Sequence, residues 1–135
     1  MRPVLLATLG SGVIVLIVSA ATGDVIRDDA DDLTTGQSLY ESKCSGCHSV
    51  DTDRIGPRHR NVVGRAVASI TEYDYSPALQ QLGGTWTAVR LDQFLNGTQQ
   101  MAPGSKMYLE IDDPVQRRLI VSYLHTVSRP GRDKQ

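Results

Sequence analysis

The chain has little of what usually braces a small domain. Its 135 residues include two cysteines, one tryptophan and one phenylalanine, beside five tyrosines and three histidines. Both cysteines fall inside one short motif, so the fold must be held by its core and not by a disulfide framework. Lysine is scarce, at Lys43, Lys106 and Lys134 only, and the net charge of −1 gives no sign of a nucleic-acid partner. No glycine-rich loop suited to phosphate appears, no internal repeat, and no run of alternating β-branched residues that would signal a sheet.

What is present is Cys44-Ser45-Gly46-Cys47-His48. Two thiols two residues apart on a turn can each bond one vinyl group of a haem, and the histidine that follows then stands under the iron. A thioredoxin-like redox pair would need a βαβ surround, which is missing. A zinc site would need two more ligands, and the other histidines are His59 and His125. If both thiols carry thioethers, none remains for a disulfide. The globular part, Gly36 to about Arg129, is short of apolar area to bury, and a large apolar cofactor in its middle supplies the missing core.

Residues 1–22 read as a membrane anchor or signal peptide. Arg2 precedes the apolar stretch Val4–Ala21, and Asp24, Asp28, Asp29, Asp31 and Asp32 follow it, which keeps the start in the cytoplasm and sends the rest across. As a helix the stretch would be about 27 Å long, close to a bilayer core of about 30 Å, which favours an uncleaved anchor. Val18-Ser19-Ala20 and Ser19-Ala20-Ala21 also offer small residues to a signal peptidase, which would release a soluble periplasmic protein. Residues 23–34 read as an acidic linker, extended and solvated. Residues 35–129 form the domain, and 130–135 a tail.

Within the domain the punctuation predicts short helices joined by long irregular loops, an all-α fold. Thr34 or Thr35 caps a first helix through Leu39 and Tyr40. Ser76-Pro77 begins a second that stops at Gly83-Gly84. Thr85 or Thr87 starts a third, with Val89, Leu91, Phe94 and Leu95 on or near one face and Gly97 at its end. Asp112 or Asp113 caps a last one with Pro114 at its first position and Leu119, Ile120, Tyr123 and Leu124 as its stripe. The candidates for a sixth iron ligand are Met101, Met107, His59 and His125. Met107 closes Pro103-Gly104-Ser105-Lys106-Met107 in the last irregular segment before the final helix, where a proline and a glycine can fix a loop that presents a thioether.

From Gly36 to about Val127 the chain resembles a class I c-type cytochrome, of the branch that contains the mitochondrial protein and its bacterial relatives. The ordered motifs are Gly36…Tyr40, Cys44-Cys47-His48, Gly56-Pro57, Gly64-Arg65, Tyr75-Ser76, Trp86, Pro103-Gly104-Ser105-Lys106-Met107 and Tyr123. The resemblance implies one covalent haem c on Cys44 and Cys47, with His48 and Met107 as the axial pair and the Pro57 carbonyl orienting His48. It implies Arg65, Tyr75 and Trp86 around a buried haem propionate, and Gly36 and Tyr40 packed against Tyr123.

Departures from that pattern are equally specific. Phe94 stands where a tyrosine usually donates to the methionine sulfur, Leu79 where an asparagine serves a buried water network, and His59 where a leucine flanks the proximal ligand. A drier distal side disfavours the extra charge of oxidised haem. His59 reads as a partly exposed polar residue, with a redox-linked proton site as the alternative. Gln99-Gln100 replace two customary lysines, while Arg54, Arg58, Arg60 and Arg65 offer a basic patch. The implied function is single-electron transfer between membrane redox complexes, such as a quinol–cytochrome c reductase and a terminal oxidase, on the periplasmic face of a bacterial inner membrane. A fixed subunit of a larger oxidoreductase is the alternative, and a haem peroxidase, needing an open iron site, fits less well.

Overall fold

The structure, a computed structural model, describes residues 24–129. The leader with its apolar stretch Val4–Ala21 and the tail 130–135 lie outside the described residues. Among the described residues no helix is long and apolar enough to cross a membrane.

Five helices follow one another: α1 (Asp24–Lys43), α2 (Pro77–Leu82), α3 (Ala88–Asn96), α4 (Thr98–Met101) and α5 (Pro114–Thr126). Among the described residues there is no strand, only an isolated antiparallel bridge between Ala66 and Thr85. The all-α expectation holds. Three helix starts are those the sequence marks: Ser76 accepts from Leu79 N–H, Thr87 from Arg90 N–H, and Asp113 from Val115 and Gln116 N–H, with Pro77 and Pro114 in the first turns.

The first helix corrects the sequence reading. Residues 24–34 are helical and continuous with the rest of α1, not an extended linker. Between Asp24 and Gly36 no proline or glycine interrupts the chain, and the Thr34 hydroxyl donates back to the Ala30 carbonyl at 3.0 Å while Ser38 Oγ donates to Thr34 O at 3.1 Å. Thr34 therefore sits inside a helix and caps nothing. Asp32 is ion-paired with Arg118 of α5 at 2.9 Å, so this acidic stretch is fastened to the domain. A second correction concerns Val89, which is exposed; Leu91, Phe94 and Leu95 alone form the buried stripe of α3.

The core gathers Tyr40, Trp86, Leu91, Phe94, Leu95, Ile120, Val121 and Leu124 with side chains from the loops. α1 crosses α5 at Gly36, where an added Cβ would lie 2.3 Å from the Leu119 carbonyl oxygen; only glycine lets the two backbones come so near. The Tyr40 and Tyr123 rings meet one turn away, with centroids 5.1 Å apart, as expected from the sequence. α3 is held to α5 by Arg117, whose Nε donates to Asp92 at 2.9 Å and whose Nη1 donates to Ile111 O at 2.7 Å. The long loop 44–76 is tied to the end of α5 through Asn61 N–H to Val127 O and Val63 N–H to Ser128 Oγ.

Candidate cofactor site

Cys44, Cys47 and His48 come together because α1 ends in one tight turn. Cys44 N–H donates to Tyr40 O, and the Cys47 and His48 N–H groups both donate to Cys44 O, at 3.1 and 2.9 Å. Both thiols are free, Cys44 buried and Cys47 exposed. Burial pushes the Cys44 thiol up to about 11. It is held as a neutral thiol and not as the thiolate that disulfide exchange needs.

His48 is buried, and burial lowers its proton affinity, so the imidazole is neutral. Its Nδ1 lies 2.8 Å from the Pro57 carbonyl oxygen. Since a carbonyl only accepts, Nδ1 carries the proton and Nε2 keeps its lone pair for a metal. The ring rests on Gly56: a Cβ there would fall 2.2 Å from Cε1, and Gly56 N–H donates to Cys47 O at 2.8 Å. Gly56-Pro57 therefore acts as a cradle for one histidine.

His59 stacks on His48, with ring centroids 4.1 Å apart and an interplanar angle of 20°. Its Nδ1 is 3.2 Å from the Tyr40 hydroxyl. Burial, with the neighbouring His48 and Arg65, drives its pKa down to about 3, so it is a neutral imidazole that shares one hydrogen bond with the tyrosine. Half-buried and so placed, it braces the proximal histidine.

Of the other candidate ligands, His125 is exposed at the end of α5, while Met101 and Met107 both pack against the core. Met107 follows a tight turn in which Ser105 N–H donates to Ala102 O at 3.0 Å and Gly104 takes φ +84°, the arrangement that Pro103-Gly104 favours. Beyond that turn the Met107 carbonyl receives the Thr98 hydroxyl, the Gln99 carboxamide and the Ser105 hydroxyl. Thr98 and Gln99 were not legible as site residues, since a side chain that bonds a backbone eight or nine residues away leaves no local signature.

Arg65, Tyr75 and Trp86 also converge. Gly64 N–H donates to Trp86 O and Trp86 N–H to Arg65 O, at 2.8 and 2.9 Å, while Tyr75 and Trp86 are buried. Burial depresses the Arg65 guanidinium, and the nearby Tyr75 opposes that shift. The expected basic patch is offset in part by two aspartates. Arg58 pairs with Asp53 and Arg60 with Asp51, both at 2.8 Å, Arg65 donates to the carbonyls of Arg58 and Arg60, and Arg54 to those of Ser45 and His48. These cations stiffen the loop around His48. Phe94 lies against Trp86, with centroids 5.0 Å apart, inside the core.

The donor set fits a covalently held haem: two free thiols on one turn, an imidazole with only its Nε2 open, and a thioether on a pinned loop. Comparison with known proteins points the same way. The sequence profile of the Cytochrome c family matches residues 33–128. Cytochrome c-type cyt cy of Rhodobacter capsulatus is 32% identical over 100 residues, which are 73% of this chain and 50% of that one. Cytochrome c2 of Rhodomicrobium vannielii is 27% identical over 130 residues, 93% of this chain and 97% of its own. The solved structure of cytochrome cH from Methylobacterium extorquens superposes with a TM-score of 0.67 at 32% identity, covering 70% of this chain and 98% of that one. The chain spans about half the length of the Rhodobacter protein and of a Rickettsia bellii cytochrome c homolog that is 44% identical over 88 residues.

Proposed function

The chain belongs to the cytochrome c family, with one haem c bound covalently through Cys44 and Cys47, and from that premise we propose that it is a single-electron carrier in which His48 and Met107 are the axial ligands. The group supplies a reversible Fe(II)/Fe(III) couple. Every other part of the mechanism is positioning by protein.

The observation that carries the reading is the His48–Pro57 bond of 2.8 Å. It fixes tautomer and ring direction together, so the ligand nitrogen does not reorient when the charge beside it changes. The Met107 loop, tied to α4, does the same on the other side. A carrier works by changing charge without changing shape, and both ligands are tied to stiff backbone. Arg65, Tyr75 and Trp86 are assigned to one propionate, and Phe94 and Leu79 to a dry distal wall. The exposed Cys47, opposed to the buried Cys44, would hold one side of the group toward solvent, where a redox partner could approach.

Its partners, in this reading, are membrane redox complexes, a quinol-oxidising reductase on one side and a terminal oxidase on the other. Val4–Ala21 is assigned to an anchor that keeps the haem domain on the periplasmic face. The first residue of the mature chain separates this from a cleaved signal.

Spectroelectrochemical titration of the wild type tests the function: a single one-electron wave is expected, with the weak deep-red band of methionine on ferric haem. Met107→Ala should abolish the band and Met101→Ala should keep it. The opposite pair of results overturns the ligand assignment, and absence of the band from the wild type removes methionine ligation altogether.

A further inference from the structure

The ligand loop carries a device that the reading above does not use. Building on the assignment of Met107 as ligand, we propose that Gln99 is a positioning residue for that methionine, whose carboxamide, together with the Thr98 hydroxyl, clamps the loop main chain and so sets the thioether against the iron.

Three donors meet on one atom. The Met107 carbonyl oxygen lies 2.7 Å from Thr98 Oγ1, 2.8 Å from Gln99 Nε2 and 3.0 Å from Ser105 Oγ. Gln99 reaches further, with Nε2 also 3.0 Å from both Ser105 O and Ser105 Oγ, and Oε1 accepting from Gly104 N–H at 3.1 Å. Gly104 N–H can only donate, so the oxygen end of the carboxamide must face it. The two N–H bonds of the other end are then left for the carbonyls. Both ends of a single side chain are thus used, one on each flank of the loop tip.

Thr98 completes the grip. Its hydroxyl donates to Met107 O and accepts from Leu109 N–H at 3.1 Å, and its own N–H donates to Leu109 O at 3.2 Å. The clamp therefore holds the chain before and after the ligand. Thr98 and Ser105 are each only 1% exposed, so no water stands ready to replace a lost bond, and an unmade bond there costs its full desolvation. Methionine itself supplies no rigidity, having several freely rotating bonds. Its direction has to be imposed through the main chain, and the main chain is what these side chains hold.

The test uses the ferric holoprotein and imidazole as an external ligand, which binds only after the loop releases the iron. Gln99→Glu keeps the shape and replaces the donating end by an oxygen facing Met107 O and Ser105 O. It is expected to speed imidazole binding by about tenfold or more, the consequence of losing charge-free donor bonds in a dry site, and to lower the temperature at which the deep-red band fades. Gln99→Ala should shift both in the same direction by less. Gln100→Ala, at the exposed neighbour, should stay within about twofold of wild type. The reduction potential should also fall in Gln99→Ala, where no charge is added, since a loosened thioether stabilises ferrous haem less, a change that a lesion away from the ligand would not bring. If Gln99→Glu and Gln99→Ala both match wild type in imidazole rate and band, the clamp is overturned. If Met107→Ala keeps the band, the ligand assignment has failed and the proposal falls with it. If Gln99→Glu does not fold, Gln99→Ala alone decides.

Discussion

Replacing Gly36 by alanine tests the geometry of the domain at its tightest point. In an ordinary helix the change would help, by about 1 kcal/mol, because glycine is a poor helix former. Here the new methyl carbon would lie 2.3 Å from Leu119 O, 3.0 Å from Leu119 C and 3.3 Å from Tyr123 Cβ. The first two are backbone atoms inside α5 and have no rotamer by which to escape. The helices must part by most of an ångström, which loosens the Tyr40–Tyr123 ring contact and strains the Asp32–Arg118 ion pair. Overpacking of this kind costs about 1–3 kcal/mol, and the ring contact is worth about 1 kcal/mol more. The net expectation is a loss of about 1–3 kcal/mol. For a domain of this size that lowers the melting temperature by about 4–8 °C per kcal/mol. Thermal unfolding of the ferric holoprotein, followed by far-ultraviolet circular dichroism, reads it directly, with Gln37→Ala at an exposed neighbouring site as control. A Gly36→Ala protein that melts at or above the wild-type temperature would refute the close crossing of α1 and α5.

Two further outcomes are expected. His59→Leu should destabilise the protein by about 1–3 kcal/mol in chemical denaturation, because it leaves the buried Tyr40 hydroxyl without its partner. The double variant with Tyr40→Phe should recover most of that loss, and a double variant as unstable as the single would mean that the 3.2 Å contact is not a hydrogen bond. Phe94→Tyr should shift the reduction potential and the lability of the methionine–iron bond, since it adds a hydroxyl donor to a dry wall; no change in either would show that position 94 does not face the ligand.

Local chemistry was legible in the sequence and distant chemistry was not. Ser76, Thr87 and Asp113 cap the helices they precede because a cap acts within three residues. The Cys44–His48 turn could be named for the same reason, being a short piece of chain with one conformational job, whereas the hold of Pro57 on His48, nine residues away, followed only from the resemblance and the fit of Gly56 under the ring only from the fold. Thr34 misled because its hydroxyl has two equally local uses, capping a helix or bonding back within one, and the packing of α1 on α5 decides between them. α4, four residues preceded by Gly97, which has no side chain to cap with, has no signal of its own. The stack of His59 on His48 and the grip of Gln99 on Met107 join residues that only the folded chain makes neighbours. The arginines at 54, 58, 60 and 65 read as a patch because their partners are loop carbonyls and aspartates at irregular separations.

The Asp32–Arg118 pair and the crossing at Gly36 join the two ends of the described chain, 86 residues apart. Drawing a flexible chain of that length into a ring costs about 4 kcal/mol of loop-closure entropy before any contact rewards it. Pairings between residues so distant in sequence slow folding, because that entropy is spent before they reward it. A prosthetic group bonded at Cys44 and Cys47, at the foot of α1, gives the rest of the chain a fixed apolar body to condense on. The expense of bringing first and last helices together is then met in short steps rather than in one long search.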